Sequence, residues 1–305
     1  MDYDLNEQQA EVLNGLEQLI QATTIEPPHE GVFVAWGADL DAKVAEAGYY
    51  DIVSAGLDLI DGALVVERLS QLPLSVEAAV SILIAPVTGL HLPRPFALAS
   101  GSALAPARFL PIAKTLLVDI DNQLFAVEVD PANVETLDTL FAYPYGRLKS
   151  LDGVTMTPMN VPVADFHRRW RISMAAEAAG LMKSAIELVI QHVTDRRAFG
   201  RPIGSFQAVQ HRLVMAAEVT EGVRWLGMRA AYSDDDADAA IAATYVQDSI
   251  PKFCTDLHQF CGAMGLTLEF PLHYYTYRLR ALLGELGGGS GQARATTALS
   301  WGAAA

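Results

Sequence analysis

The sequence predicts an α+β protein, mainly α, in three consecutive parts: an N-terminal helical domain over 1–90, a small β-domain over 91–155 and a C-terminal helical bundle over 156–305. Three observations predict it. Apolar residues recur at helical spacing before residue 90 and again after residue 165. Between those stretches the apolar residues fall into short runs separated by turn residues. No internal repeat runs through the chain, so the order is helices, strands, then longer helices, not alternating βα units.

The elements follow in order. Leu5, Val12, Leu13, Leu16, Leu19 and Ile20 line one face of a helix over 5–22. Residues 39–48 and 63–86 read as further helices, the second through Ala63, Val65, Leu69, Val76, Ala79, Val80 and Ile82. Three strands are expected at 96–98, 115–119 and 124–129, and Asp121-Asn122 suits a hairpin turn between the last two. From residue 165 the chain returns to long helices. Met174, Ala178, Leu181, Met182, Ala185, Leu188, Val189 and His192 form one apolar stripe, and helices over 206–232, 237–261 and 270–283 complete a bundle. The acidic run 233–238 is expected to cap the last of these turns and to stand in solvent. The end, 293–305, is expected to be a fraying final turn.

Composition excludes several classes. Half the chain (51%) is hydrophobic and only 19% is charged, enough to build a core and too apolar for disorder. A net charge of −15 argues against nucleic acid and anionic membrane as partners. The acidic start at 1–4 and the lack of a long apolar run predict a soluble, cytoplasmic protein. Two cysteines, Cys254 and Cys261, are too few for a disulfide framework and read as buried packing residues. Their spacing, with only His258 between, matches no metal site, and no metal is expected elsewhere. His167, His192, His211, His258 and His273 read as core or surface histidines, and Trp225, Tyr274, Tyr275 and Tyr277 as packing aromatics. The charge is uneven: residues 1–150 hold 21 acids and 7 bases, residues 151–305 hold 15 and 14. An anion site therefore belongs in the second half.

There, Arg196, Arg197 and Arg201 cluster at the end of one long helix, and Ser205 is placed to cap the next. Three cations beside a helix N-terminus make an anion site. The same residues also suit an ordinary interhelical turn with surface arginines, and physics alone favours that reading.

The stretch 195–211 (DRRAFGRPIGSFQAVQH) also resembles a motif of the acyl-CoA dehydrogenases: Arg-x-x-Phe-Gly with Gln eight residues after the Phe. A second stretch, 259–265 (QFCGAMG), resembles that family's Gln-x-x-Gly-Gly-x-Gly, and Glu269-Phe270-Pro271 and Tyr277-Arg278 continue the pattern. The resemblance covers about half the chain. It implies FAD as the cofactor. Arg196 would bind the pyrophosphate and Phe199 and Gln207 would line the nucleotide. Gln259, Gly262 and Ala263 would touch the same FAD, all reaching across a subunit interface to a neighbour's flavin.

The sequence departs from the family in three places. Where members carry a Thr-Glu-Pro-x-x-Gly-Ser-Asp-like segment that holds the flavin ring, residues 96–102 read FALASGS, with Ser100 and Ser102 as turn residues. The usual base, a Glu nine residues after the Arg matching Arg278, is Gly287; the other known base position, one residue before the Arg matching Arg171, is Trp170. A Thr and a Gln that touch the same chain's FAD are replaced by Gly289 and Gly291. Residues serving the chain's own flavin are absent, while those serving a neighbour's are present. The resemblance therefore implies the short, non-catalytic subunit of a two-chain α2β2 acyl-CoA dehydrogenase, of the kind that acts on steroid side-chain thioesters in bacteria. A longer catalytic chain would be its partner, an acyl-CoA its substrate and an electron-transfer flavoprotein its acceptor. Two alternatives stand beside it: a homo-oligomeric enzyme with Glu285 as a displaced base, and a flavin-free helical scaffold. For Glu285 itself, a solvent-facing carboxylate at a helix end is the expectation.

Overall fold

The computed structural model describes residues 5–26 and 33–302; the acidic start at 1–4 and the last three residues of the tail lie outside them. Three helices come first, α1 (Glu7–Gln21), α2 (Ala38–Glu46) and α3 (Leu59–Ser70). Asn6 opens α1 with a capping box closed by Gln9. The single helix expected over 63–86 is broken. α3 stops at Ser70, the chain passes through Pro73, and Val80–Ile84 forms one π-helical turn. Proline supplies no N–H and its ring excludes the preceding turn, so the apolar spacing persists without a continuous helix.

The β-unit follows. Strands β1 (Phe96–Ser100), β3 (Thr115–Ile120), β4 (Gln123–Glu128) and β7 (Met156–Pro158) form one sheet in the order β1-β3-β4-β7, with β1 parallel to β3. Short strands β2 (Ala107–Arg108), β5 (Val134–Leu137) and β6 (Tyr145–Leu148) form a second sheet in the order β2-β6-β5. Asp121 and Asn122 join β3 to β4 with φ of 50° and 60°, the left-handed pair of a tight hairpin turn. The strands expected from apolar runs are present. The second sheet gave no such run, because its strands have two to four residues and a mixed composition.

The bundle is built on α4 (Val163–Asp195), a 33-residue helix buried on most sides. α5 (Gln207–Ser233), α6 (Asp236–Cys261), α7 (Leu272–Leu282) and α8 (Gly288–Trp301) complete it, and a two-stranded hairpin of β8 (Arg197–Ala198) and β9 (Arg201–Pro202) joins α4 to α5. α1 to α3 share one apolar core with α4 to α7. The close packing rests on small residues. A Cβ on Gly180 would stand 2.1 Å from the Glu67 carbonyl oxygen, so α3 and α4 cross where only hydrogen fits.

Two expectations about the bundle are corrected. The acidic run is not merely solvated. Asp235 caps α6, but Asp234 and Asp236 pair with Arg168 and Arg169 on α4, where opposite charge is at hand. The tail is not a frayed turn: Gly288–Trp301 is a regular helix docked on α6, anchored by Gln292, which bonds Arg171 and the Leu286 carbonyl. Both cysteines are buried, and burial pushes their thiols up, to about 12 for Cys254 and about 11 for Cys261.

Glu77 joins the helical region to the β-unit. It is fully enclosed and accepts from the Ser81 hydroxyl, the Ser81 amide and the Phe96 amide, with Arg94 at 3.7 Å. Burial outweighs these donors and lifts its carboxyl from 4.5 to about 7. A raised acid binds its proton more tightly in the folded chain. Its contribution to stability is complete below the unfolded value and is lost as pH rises through about 7. Glu77→Gln should therefore flatten the fall in stability of the wild type across that window, by about 3 kcal/mol at most. Urea midpoints of both chains below and above the window check it; parallel pH profiles would refute the assignment.

Candidate functional site

The residues singled out by the sequence fall into two groups far apart on the molecule. The first gathers at one end of the bundle. Arg196 ends α4, its amide donating to the His192 carbonyl. The β8–β9 hairpin then turns through Phe199 and Gly200, with φ of 54° and 81°. Left-handed backbone is ordinary for glycine and strained for phenylalanine, and the Phe199 ring is 94% exposed. Arg201 lies 4.0 Å above the Phe206 ring, which meets Phe199 edge-on. Gln207 begins α5. Ser205 does not cap that helix: its hydroxyl donates to the Pro202 carbonyl and Phe206 takes the cap position.

Gln259 reaches the same end from the other direction, because α5 and α6 are antiparallel neighbours. Arg212 of α5 bonds Asp256 of α6 and lies over the Phe260 ring. Burial alone would raise the Asp256 carboxyl, but hydrogen bonds from Lys252 and Arg212 hold it below the usual range. This clamp fixes Gln207 and Gln259 at adjacent helix ends. Gly262 closes α6 with φ 58° and ψ −136°, a conformation that favours glycine, and nothing lies within 4 Å of where its Cβ would be. His258 holds the turn that follows, with Nδ1 at 2.6 Å from the Gly265 carbonyl and Nε2 at 2.9 Å from the Thr276 hydroxyl. Arg196, Phe199, Gln207, Gln259, Gly262 and Ala263 are all exposed. Two open glycine turns, with an arginine and two amides that have no side-chain hydrogen bond among the described residues, suit an extended anionic ligand such as a dinucleotide.

The second group lies where the β-unit meets the bundle. A cavity of about 370 Å³ is lined by β1, Arg108, Tyr145, Trp170 and residues 284–287. Trp170 and Gly287, the two base positions, share this cavity. Glu285 does not face solvent. It is enclosed, with Oε1 at 2.7 Å from Arg108 Nε, while Oε2 accepts from Trp170 Nε1 at 2.7 Å. A buried guanidinium and an indole N–H outcompete water for it. Burial raises its carboxyl, only partly offset by Arg108.

Sequence reasoning missed the centre of this group. Arg108 donates Nη1 to both oxygens of Glu177 at 3.0 Å, and Glu177 also accepts the Tyr143 hydroxyl. The visible sign was Glu177 itself, a carboxylate inside the apolar stretch 172–182. No group of three or more potential metal ligands occurs among the described residues, and none of their helices is long and apolar enough to cross a membrane.

A flavin fits the two groups differently. The bundle end presents exposed donors and bare backbone. In the cleft Arg108 and Trp170 are already paired with Glu285, and Arg108 also with Glu177, so the arginine that lines it is not free for an anionic dinucleotide. Trp170 and Gly287, which the resemblance matches to the family's two base positions, are not carboxylates.

Comparison with known proteins agrees with the architecture. Residues 164–299 match the family model described as the acyl-CoA dehydrogenase C-terminal domain, and the chain as a whole has the acyl-CoA dehydrogenase fold. It superposes on the Tcur3481-Tcur3483 steroid ACAD with a TM-score of 0.81 at 20% identity, covering 96% of this chain and 98% of that one. Against the ChsE4-ChsE5 complex from Mycobacterium tuberculosis the TM-score is 0.78 at 18% identity, covering 96% and 97%. Among curated relatives, acyl-CoA dehydrogenase FadE34 of M. tuberculosis is 30% identical over 188 residues, 59% of this chain. The chain spans only 26% of that relative's length, and about a third or less of the next two.

Proposed function

We propose that this chain is the non-catalytic subunit of a heteromeric, FAD-dependent acyl-CoA dehydrogenase. Arg196, Phe199, Gln207, Gln259, Gly262 and Ala263 contact FAD held mainly by a longer partner chain, which supplies the carboxylate base. When bound, FAD supplies the hydride acceptor for α,β-dehydrogenation of an acyl-CoA thioester. The role of this chain is to bind and orient: Arg196 neutralises phosphate charge, the two glutamines donate or accept at the nucleotide, and Phe199 covers it from water.

The carrying observation is the separation of the two groups. Trp170 and Arg196 are 26 residues apart on α4, roughly 39 Å at 1.5 Å per residue. The exposed donors are thus far from the chain's own cleft, and a ligand on them must be completed by another chain. Exposed Phe199, Leu266 and Met264 at the same end suit a covered surface. Two solved structures of the same fold carry paired chain names, and one of them is a steroid ACAD. That supports an α2β2 assembly and a bulky, steroid-type acyl group. Transfer of electrons to an electron-transfer flavoprotein and a cytoplasmic setting belong to the same reading.

Purifying this chain alone and together with a longer acyl-CoA dehydrogenase chain, and recording flavin absorbance and molar mass, tests it. The expected outcome is a colourless single chain and a yellow heterotetramer with about one FAD per pair of chains. A yellow single chain with one FAD would refute it in favour of a homo-oligomeric enzyme. A colourless pair would favour the flavin-free scaffold. The homo-oligomeric reading asks Glu285 to act as base, and both of its oxygens are held by Arg108 and Trp170.

A further inference from the structure

We infer that Arg108 is a clasp that closes this chain's own cleft, joining the β-unit to the bundle across the place where a prosthetic group would otherwise lie between them. The inference builds on the donor-subunit reading, but it concerns the opposite end of the molecule and can fail separately.

The geometry is a bridge between two units. Arg108 lies on β2, in the second sheet of the β-unit. Its partners belong to the bundle: Glu177 on α4 and Glu285 in the turn after α7. The guanidinium lies 4.7 Å from the Tyr143 ring, and Tyr143 in turn bonds Glu177. Trp170 takes the remaining oxygen of Glu285. Each carboxylate oxygen in the cluster has an internal donor, and one arginine serves two carboxylates from two parts of the bundle. An apolar seam of Phe96, Leu117 and Leu124 against Val163, Phe166 and Trp170 also joins the units, and the enclosed ion-pair bridge is the polar link beside it. An open cofactor cleft would keep such donors free. Here they are consumed, and the cavity of about 370 Å³ that remains is lined by Arg108, Trp170 and the single carboxylate Glu285.

A clasp has a signature that a locally important residue lacks. Breaking it on one side of the cleft must loosen the other side. The test is hydrogen exchange, read by mass spectrometry, on the complex of this chain with its longer partner. Arg108→Met removes both bridges at similar length. It should raise exchange at 284–287 by about tenfold or more, on the bundle side of the cleft, as well as at 96–109. Exchange at 207–259 and the flavin content should stay at wild-type levels. Glu285→Gln breaks one ion pair and keeps the fold safer. It should raise exchange at 96–109, across the cleft from the substitution, by a smaller factor.

Wild-type exchange across the cleft in both variants would overturn the clasp. So would added FAD that slows exchange at 96–109 and 284–287 in the wild type, since the cleft would then be an open flavin site. A wild-type complex without flavin is a different failure: it removes the donor-subunit reading and leaves the cross-cleft exchange result to stand or fall by itself.

Discussion

Arg196→Ala should lower the flavin affinity of the assembled complex by roughly 10- to 100-fold. A charge-assisted hydrogen bond is worth about 1.5–3 kcal/mol, and each 1.4 kcal/mol is a factor of ten. The site makes a strong effect reasonable, because among the described residues no ion pair engages Arg196 and its side chain is exposed at the end of α4. The side chain is exposed, so melting temperature should hardly change. Gln259→Ala removes neutral hydrogen bonds and should cost roughly 2- to 10-fold. The pair would not be additive, since both residues touch one ligand. Arg197→Ala is the control: the residue follows Arg196 at the start of the hairpin and fills a variable position of the motif. The measurement is FAD titration of the stripped heteromeric complex. Equal affinity in Arg196→Ala and wild type would remove the donor role of the bundle end, whatever the flavin content of the complex.

How much of this was written plainly in the sequence depends on the kind of signal. Helical periodicity located α1, α2 and the four long bundle helices to within a few residues, because each buries a wide apolar face. It failed over 63–86, where periodicity survives Pro73 but the helix does not. The first sheet was visible because β1, β3 and β4 are buried apolar runs. The second was not, because mixed strands of two to four residues carry too little period to read. At the bundle end, the resemblance pointed to residues on several elements, and the structure brings Gln207 and Gln259 to adjacent helix ends because α5 and α6 are antiparallel and Arg212 of α5 bonds Asp256 of α6. The cleft was the opposite case. Glu285 read as a solvent-facing carboxylate because sequence spacing cannot show that Arg108, 177 residues earlier, folds back beneath it. A charge pair between distant segments leaves no local pattern.

Arg278 shows the same limit and carries the largest expected effect on stability. The resemblance placed it in a family pattern without saying why an arginine is needed. In the structure it is 2% exposed, and among the described residues no carboxylate forms a salt bridge with it. It instead caps the end of α3 from a distance: Nη1 donates to the carbonyls of Leu72 at 2.7 Å and Leu74 at 3.4 Å, and Nη2 to that of Ser70 at 3.4 Å. Carbonyls past a helix C-terminus have no partner within the helix and carry its negative end, so a buried cation there satisfies both. Its Nε also lies 3.5 Å from the Tyr143 hydroxyl, which links this cap to the Glu177–Arg108 cluster. Arg278→Ala opens a cavity and leaves several buried carbonyls unpaired, at a cost of about 3–5 kcal/mol. In a chain of this size that is a fall of roughly 6–20 °C in melting temperature. Arg278→Met separates the two causes, because it refills most of the volume and restores no donor. If hydrogen bonding dominates, Met should melt nearly as low as Ala. A Met variant within about 1 kcal/mol of wild type would mean that water or a shifted backbone replaces the lost donors, and that the filled volume of the site, not the charge, fixes α3 against α7. Flavin content per folded complex should be unchanged in either variant, since Arg278 lies on α7, apart from the exposed donors at the end of α4.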